Sequence, residues 1–200
     1  PLAALKLQVR FDVLHGTLYG PGLEAGKSND RGSKSLSAPL PQGALHLADT
    51  GYFRVGQFAQ FDREGVLYLS RLFVQTAIYD EAGKRLELLG LLQEAPAGQV
   101  DRRVRLGSRE KLPTRLLAAR VPQEVADQRR RRIREEARHE GKNPSKLLLA
   151  LAEWTILVTN VPQDKLSLRE ALVLMRVRWQ IELIFKLWKS HGKVDQWRRA

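Results

Sequence analysis

The stretch G-A-L-H-L-A-D-T-G-Y-F, residues 43–53, contains the pattern that decides the fold class. Its first half is a compact apolar run that stops abruptly at Asp49. A short apolar run bounded by turn residues is typical of a buried strand. Because open α/β sheets bind their ligands at the carboxyl ends of the strands, the sequence predicts a strand that delivers the Asp49 carboxylate to a ligand-binding edge of an α/β sheet.

Strands and helices alternate around this central strand. Apolar residues occupy every second position over 5–13, which predicts a half-buried strand, and residues 17–19 are expected to return as a second one. A loop is predicted over 20–32, with a short helix before Pro39. After Asp49, aromatic residues recur at helical spacing over 52–61, and another strand is predicted over 66–72. We interpret residues 1–72 as the first part of an α/β core.

The pattern changes over residues 73–152, which we interpret as a β-rich insertion with a basic helix. Turn residues separate four β-prone pieces, which are 73–79, 85–92, 100–106 and 115–121. A helix predicted over 122–140 contains six arginines interleaved with glutamates. Two interpretations of this helix have equal weight: a DNA-binding surface that contacts phosphates, or a solvated helix stabilised by its own ion pairs.

Residues 153–200 are interpreted as the last strand and final helix of the core. Residues 154–159 are a predicted buried strand, and Ser167 with Glu170 forms an S-x-x-E capping box. The capping box begins an amphipathic helix of about six turns that is predicted to end at Gly192. Its polar face carries a row of charged residues at steps of four, four and three: Arg178, Glu182, Lys186 and Lys189. Spacing alone is typical of an ordinary solvated helix face.

The composition limits the classes of partner and of metal site. The formal net charge is +12 and the pI about 10.4, which favours nucleic acid as a partner first and an anionic membrane second. No apolar run approaches the roughly 20 residues of a membrane span. The sequence contains no cysteine, which excludes thiolate metal sites and fits a reducing compartment, and its four histidines are too scattered to form a metal site.

Three stretches resemble one known family. The stretch R-V-R-W-Q-I-E-L-I-F-K-L-W-K-S, residues 176–190, resembles the Y-R-E-K segment (Y-x2-R-x3-E-x6-K) of bacterial insertion-sequence DDE transposases, and Met175 occupies the tyrosine position. The stretch A-D-T-G-Y-F, residues 48–53, is similar to the family's second-carboxylate motif. The stretch W-T-I-L-V-T-N-V-P, residues 154–162, is similar to the strand that returns to the catalytic helix. The resemblance covers nearly the whole chain.

The resemblance implies a ribonuclease-H-like core, in which helices flank a mixed sheet, interrupted by the β-rich insertion. It also implies phosphodiester hydrolysis followed by strand transfer at transposon ends. Asp49 and Glu182 would be the second and third carboxylates of a D-D-E triad that binds two Mg²⁺ ions, with Mn²⁺ as an alternative. Such hard ions prefer carboxylate oxygens, and two of them stabilise both oxygens of an in-line displacement.

The same resemblance implies the residues that contact DNA. Arg178 and Lys189 would contact backbone phosphates, with Lys186 on the same stripe. Trp154 would stack on a flipped base, and Trp179 would pack near the same site. The implied partner is double-stranded DNA, both transposon ends and target, bound by a homodimer in the bacterial cytoplasm at the nucleoid and not at a membrane.

The first triad aspartate has no counterpart in the sequence. The family places it on a strand before Pro1, so we interpret the chain as a fragment and expect it to bind metal poorly and to catalyse nothing alone. Asp12 and Asp30 are interpreted as structural or solvated. Two alternative functions remain: a ribonuclease-H-like nuclease or resolvase without strand transfer, and a non-catalytic basic DNA-binding module. Separation of Asp49 from Glu182 in the fold would favour the module.

Overall fold

The computed structural model describes residues 5–26 and 39–192 and shows the predicted mixed α/β architecture. The strands are β1 (Leu5–Asp12), β2 (Thr17–Ala25), β3 (Leu45–Ala48), β4 (Leu67–Arg71), β5 (Ile78–Tyr79), β6 (Arg85–Leu86), β7 (Gln99–Leu106), β8 (Leu112–Arg120) and β9 (Trp154–Thr159). The helices are α1 (Val55–Arg63), α2 (Leu88–Gln93), α3 (Gln123–His139), α4 (Lys146–Leu151), α5 (Leu168–Val177) and α6 (Gln180–Gly192).

Strands β3 to β9 form one mixed sheet of seven strands in the order β3-β4-β9-β8-β7-β5-β6. Strands β3 and β4 are parallel and are joined through α1, whereas β9 is antiparallel to both β4 and β8. The strands of the predicted insertion therefore extend the same sheet, beyond β9. Among the strands that the structure describes, β3 lies at one end of this sheet, with Asp49 directly after it.

The antiparallel pair β1–β2 forms a separate hairpin. Asp12 closes its turn, because Asp12 Oδ1 accepts from the backbone N–H groups of Leu14 and His15 at 3.0 and 3.1 Å. Asp12 therefore has the structural role expected of it, while Asp30 and the helix predicted before Pro39 lie outside the described residues. The prediction of a loop from residue 20 was wrong up to Ala25, where β2 ends.

Glycine makes this longer β2 possible. Gly20 has φ +110°, and a Cβ at this position would lie 2.9 Å from the carbonyl oxygen of Gln8 on β1. No other residue type fits so close an approach of two backbones without a shift of the strands. The turn-like composition that suggested a loop therefore accommodates an irregular strand pair.

Each face of the large sheet packs against an apolar core. On one face Phe58 of α1 stacks on Tyr68 of β4, with ring centroids 4.5 Å apart, and lies in the larger apolar core. On the other face Leu69, Leu117 and Leu157 pack against α5, which contributes Met175. Successive strand residues point to opposite faces, so neighbours such as Tyr68 and Leu69 enter different cores. Met175 is a buried core side chain, as its apolar character allows.

Two further predictions of secondary structure were wrong. Residues 85–92 were expected to be β-prone, but only Arg85–Leu86 is a strand, and α2 follows because the Glu87 carboxylate caps the helix through the N–H groups of Leu89 and Gly90. The final helix was expected to be continuous, but it divides into α5 and α6. At the break the chain tightens to three-residue hydrogen bonds, such as Trp179 N–H to the Arg176 carbonyl at 3.0 Å.

The predicted capping box is present at the start of α5. The Ser167 hydroxyl accepts from Glu170 N–H at 3.3 Å, and the Glu170 carboxylate accepts from Ser167 N–H at 2.8 Å. We expect Ser167→Ala to lower the free energy of unfolding by about 1 kcal/mol, because one helix N–H loses its acceptor. Ser145 is a matched control, since it precedes α4 without a side-chain cap. Urea titration should show no loss for Ser145→Ala, and equal losses would contradict the prediction.

His46 on β3 gives the fold a pH dependence. Burial of the imidazole, and secondarily the charge of Arg10, lowers the pKa of His46 to about 4. An unfolded histidine has a pKa of about 6.5, so the unfolded chain gains a proton first as the pH falls. The contribution of His46 to stability is full above pH 6.5 and is lost as the pH falls towards 4.

We therefore expect His46→Gln to flatten the decline of unfolding free energy with falling pH across this window. The exposed His139, in the last turn of α3, is the control, and His139→Gln should keep the wild-type slope. Denaturant titrations at several pH values measure both slopes. A His46→Gln variant with the wild-type slope would show that His46 carries no such linkage.

Candidate active site

The carboxylate of Asp49 is fixed at the carboxyl end of β3, where the sequence predicted it. Ala48 is the last residue of the strand and is buried. Asp49 then caps a short 3-10 turn over Thr50–Tyr52, with its Oδ1 accepting from Thr50 N–H at 2.8 Å. The strand and the turn thus leave Oδ2 of Asp49 free to face the neighbouring elements.

Arg178 joins Asp49 to Glu182. Its Nη2 lies 3.0 Å from Asp49 Oδ2, and its Nη1 lies 3.3 Å from Glu182 Oε1. The break between α5 and α6 falls at Arg178, so Glu182 lies in the first turn of the second helix. Two carboxylates that are far apart in the sequence therefore converge on a single guanidinium group, and the separation that would have favoured a plain binding module is not observed.

The chemistry of these donors suits a hard divalent cation. Mg²⁺ uses one or two protein carboxylates and completes its shell with water and phosphate oxygens. The Arg178 guanidinium occupies the position between the two carboxylates, so a metal cation could bind there only after this group moves aside. Within residues 5–26 and 39–192 no three metal-ligating side chains cluster. Asp49 and Glu182 therefore do not by themselves complete a metal site among these residues.

Arg71 is a site residue that the sequence did not predict. The parallel register pairs Ala48 with Ser70, so Asp49 and Arg71 follow at the same level on neighbouring strands. The Nε of Arg71 lies 3.8 Å from Asp49 Oδ1. The only sequence signal was its place directly after the apolar run of β4, and that signal has meaning only once the pairing of β3 with β4 is known.

The arginines of helix α3 fall into two groups, one that forms internal contacts and one that is exposed. Arg129 donates to the carbonyl of Trp154 at 2.8 Å and to Thr155 Oγ1 at 3.1 Å, which attaches α3 to the start of β9. Arg130 pairs with Asp127 and Glu153. The remaining arginines of this helix are exposed, and they are Arg131, Arg132, Arg134 and Arg138. Structural ion pairing and an exposed basic surface therefore coexist on one helix.

Arg129 and Arg71 are electrostatically coupled. Desolvation is the main cause, and the nearby positive charge of Arg71 the second cause, of the lowered pKa of Arg129. Since Trp154 begins β9 and Arg71 ends the antiparallel β4, the two guanidinium groups lie at the same edge of the sheet as Asp49. Arg71 and Arg178 therefore lie beside the carboxylates, and Arg129 lies close to Arg71.

The other predicted site residues have different surroundings. Trp179 is half-exposed and lies beside Arg178, whose guanidinium carbon is 5.8 Å from its ring. Lys186 and Lys189 are exposed on α6. Trp154 is only 4% exposed and belongs to the larger apolar core, with the Arg120 guanidinium 5.1 Å from its ring. The geometry thus groups Trp179 with the carboxylates and packs Trp154 into the protein.

Known proteins resemble this chain over nearly its whole length. A family model described as "Transposase DDE domain" matches residues 2–199. The transposase for insertion sequence element IS231F of Bacillus thuringiensis subsp. israelensis is 27% identical over 98% of this chain and 45% of its own length. The transposase for insertion sequence element IS1151 of Clostridium perfringens is 24% identical over 99% of this chain and 46% of its own length.

The chain therefore spans about 45% of the length of these curated relatives. The family match and the mixed sheet with flanking helices together confirm the ribonuclease-H-like fold class. Among the helices in the described part of the chain, none is long and apolar enough to cross a membrane.

Proposed function

The chain belongs to the DDE transposase domain family, and from this premise we propose that it forms part of the catalytic core of an insertion-sequence transposase. The proposed reaction is metal-dependent hydrolysis of a phosphodiester at the transposon end, followed by strand transfer by the freed 3′-hydroxyl. The observation that carries this proposal is the convergence of Asp49 and Glu182 on Arg178. Two carboxylates that converge at one point favour a metal-binding role over a purely basic DNA-binding surface.

Asp49 and Glu182 would hold divalent metal, Mg²⁺ or Mn²⁺, as two members of a D-D-E triad. When bound, two such ions stabilise the attacking and the leaving oxygen of an in-line displacement. The third carboxylate would come from a strand outside the described residues. Strand β3 lies at the end of the large sheet, and Tyr52 Oη donates to Gln8 Oε1 of the hairpin at 2.8 Å. A strand added between β1 and β3 would therefore lie beside Asp49.

Arg178 would have two successive partners. Without metal its guanidinium neutralises both carboxylates. Like the carboxylates, a DNA phosphate at this position offers two oxygens, which arginine binds with two parallel hydrogen bonds. We expect Arg178 to exchange the carboxylates for phosphate when the complex forms, while the exposed Lys186 and Lys189 act as point charges along α6.

The two tryptophans would contact bases by stacking. Trp179 already exposes half of its surface next to Arg178. Trp154 would need Arg120 and its core neighbours to move, because its ring is almost fully buried. Stacking of Trp154 on a flipped base is therefore proposed only for the DNA-bound form, where the stacking offsets part of the cost of base extrusion.

The proposed partner is double-stranded DNA, both the transposon ends and the target, bound by a homodimer because two ends are joined. The net charge of +12 suits this polyanion. The proposed location is the bacterial cytoplasm at the nucleoid, without attachment to a membrane. The exposed arginines of α3 would add sequence-independent phosphate contacts.

A cutting-and-joining assay tests the proposal. The transposase that contains this chain is incubated with a labelled transposon end, a target plasmid and either Mg²⁺ or EDTA. We expect strand-transfer products with Mg²⁺ and none with EDTA. Cleavage without joined products would instead indicate a nuclease or resolvase, and DNA binding without cleavage would indicate a basic binding module.

A further inference from the structure

Arg71 is positioned as a ligand-binding side chain. It ends β4, one strand from Asp49, and the parallel register of β3 with β4 brings both residues to the same edge of the sheet. Its side chain is 41% exposed, although its Nε is buried. The distance of 3.8 Å from Nε to Asp49 Oδ1 is too long for a hydrogen bond.

Two N–H groups beside Asp49 have no acceptor. Among the residues that the structure describes, the buried side-chain atoms without a hydrogen-bond partner are Nε of Arg71 and Nε of Arg178. A buried donor without an acceptor is costly and rare in folded proteins. Both belong to arginines that flank the same Asp49 carboxylate, but the side chain of Arg71 is the more exposed of the two, so a ligand that draws its guanidinium outward would supply the missing acceptor.

The charges point to an anion as that acceptor. Arg71 and Arg178 lie beside the Asp49 carboxylate, Arg178 also contacts Glu182, and Arg129 adds a third positive charge close to Arg71. Arg129 is tied to Trp154 and Thr155 through hydrogen bonds, so its charge stays fixed at this edge. The excess charge is positive, and a guanidinium fork with free N–H groups matches the oxygens of a phosphodiester.

We propose that Arg71 is a further phosphate-binding residue of this site, which contacts the DNA backbone beside Asp49. The inference rests on the proposed function in one respect, because the ligand is taken to be DNA. The competing role is purely internal, in which Arg71 only holds Asp49 in place. The two roles differ in their dependence on the Asp49 charge, and this difference can be measured without catalysis.

Fluorescence anisotropy with a duplex oligonucleotide in EDTA tests the proposal on the full chain. We expect Arg71→Ala to weaken binding roughly five- to tenfold at 0.1 M salt and to reduce the slope of log K against log[salt] by about 1, as for the loss of one phosphate contact. Arg71→Lys keeps a charge without the fork and should fall between wild type and Arg71→Ala. Arg63 is exposed at the opposite edge of the sheet, so Arg63→Ala should leave the slope unchanged.

The Asp49→Asn background separates the two roles. If Arg71 contacts phosphate, Arg71→Ala weakens binding in this background as well. If Arg71 only holds Asp49, Arg71→Ala does not weaken binding in the Asp49→Asn background, and that result overturns the proposal. Equal effects of Arg71→Ala and Arg63→Ala, or a wild-type chain that does not bind the duplex, also overturn it. Because no cleavage is required, the outcome is independent of the cutting-and-joining assay.

A second measurement uses the wild-type chain and so avoids any effect of substitution on folding. The Nε–Hε resonance of Arg71 in a ¹⁵N correlation spectrum reports the hydrogen bonding of that group. Titration with duplex DNA in EDTA should shift this resonance as the N–H gains an acceptor. An unchanged resonance at saturating DNA contradicts the proposed contact.

Discussion

Replacing Glu182 with glutamine, or Asp49 with asparagine, is expected to reduce DNA cleavage by the transposase that contains this chain at least about 10³-fold. Each substitution removes one charged oxygen donor from the proposed metal site. The loss of an outer partner of a metal ligand already costs roughly 10- to 100-fold in affinity or activity, and the loss of a ligand itself should cost more. Both substitutions keep the size of the side chain, so we expect the packing around Asp49 and Glu182 to be unchanged.

Folding and a substitution at an exposed carboxylate serve as controls for this prediction. Asparagine at position 49 still offers an oxygen to Thr50 N–H, the contact that positions the turn after β3. Asp164 is an exposed carboxylate near the start of α5, and Asp164→Asn should cleave at the wild-type rate. Cleavage products are measured by gel electrophoresis, and thermal melts verify folding. Wild-type cleavage by a folded Glu182→Gln variant would remove Glu182 from the triad.

The convergence of Asp49 with Glu182 could be predicted because each signal was local. Asp49 follows a short apolar run bounded by turn residues, which is typical of a buried strand, and open α/β sheets bind their ligands at such strand ends. Glu182 and Arg178 lie one helical turn apart, which spacing alone places on one face. The resemblance supplied the link between the two segments, and the structure confirms it through contacts to Arg178.

The placement of Arg71 beside Asp49, and of Arg129 close to Arg71, could not be predicted. Arg71 lies in the stretch L-Y-L-S-R-L, residues 67–72, where one charge after a strand is unremarkable. Its position beside Asp49 results from the register between β3 and β4, a long-range property that cannot be read from the periodicity of the sequence. Arg129 is one of six similar arginines on a single helix, and only the position of the start of β9 selects it.

The wrong predictions for residues 85–92 and for the final helix have different physical causes. The run L-L-G-L-L, residues 88–92, is too short for its periodicity to separate a buried helix from a buried strand, and the Glu87 cap decides in favour of α2. The break at residues 178 and 179 leaves no mark on the apolar pattern, which continues through both α5 and α6. The contact of Arg178 with Asp49 at the break is tertiary, and tertiary contacts override local propensity.

The buried cluster around Arg115 should be the most sensitive electrostatic element of the fold. Arg115 is 8% exposed on β8. Its Nε and Nη2 donate to both oxygens of Asp101 at 3.1 and 2.7 Å, and its Nη1 donates to the carbonyls of Val161 and Leu166 at 2.6 and 3.1 Å. One guanidinium thus connects β7 to the loop between β9 and α5.

Arg115→Met is therefore expected to lower the free energy of unfolding by about 3 kcal/mol. Removal of one partner of a buried ion pair leaves the other without compensation, which typically costs about 3–5 kcal/mol. The side chain of Asp101 is 22% exposed, and solvation by water places the expected value at the lower end of that range. Urea titration monitored by tryptophan fluorescence measures the change.

Two further variants determine whether the loss comes from uncompensated polar groups or from packing. Arg102 is exposed on the same β7–β8 pair, and Arg102→Met should change stability by no more than about 0.5 kcal/mol. In the double variant Asp101→Leu with Arg115→Met no charge is left unpaired, so stability should partly recover. The carbonyls of Val161 and Leu166 still lack their donor in that variant, which keeps recovery incomplete. A double variant as unstable as the sum of both single substitutions would show that the two side chains act independently and that the ion pair is not the source of the loss.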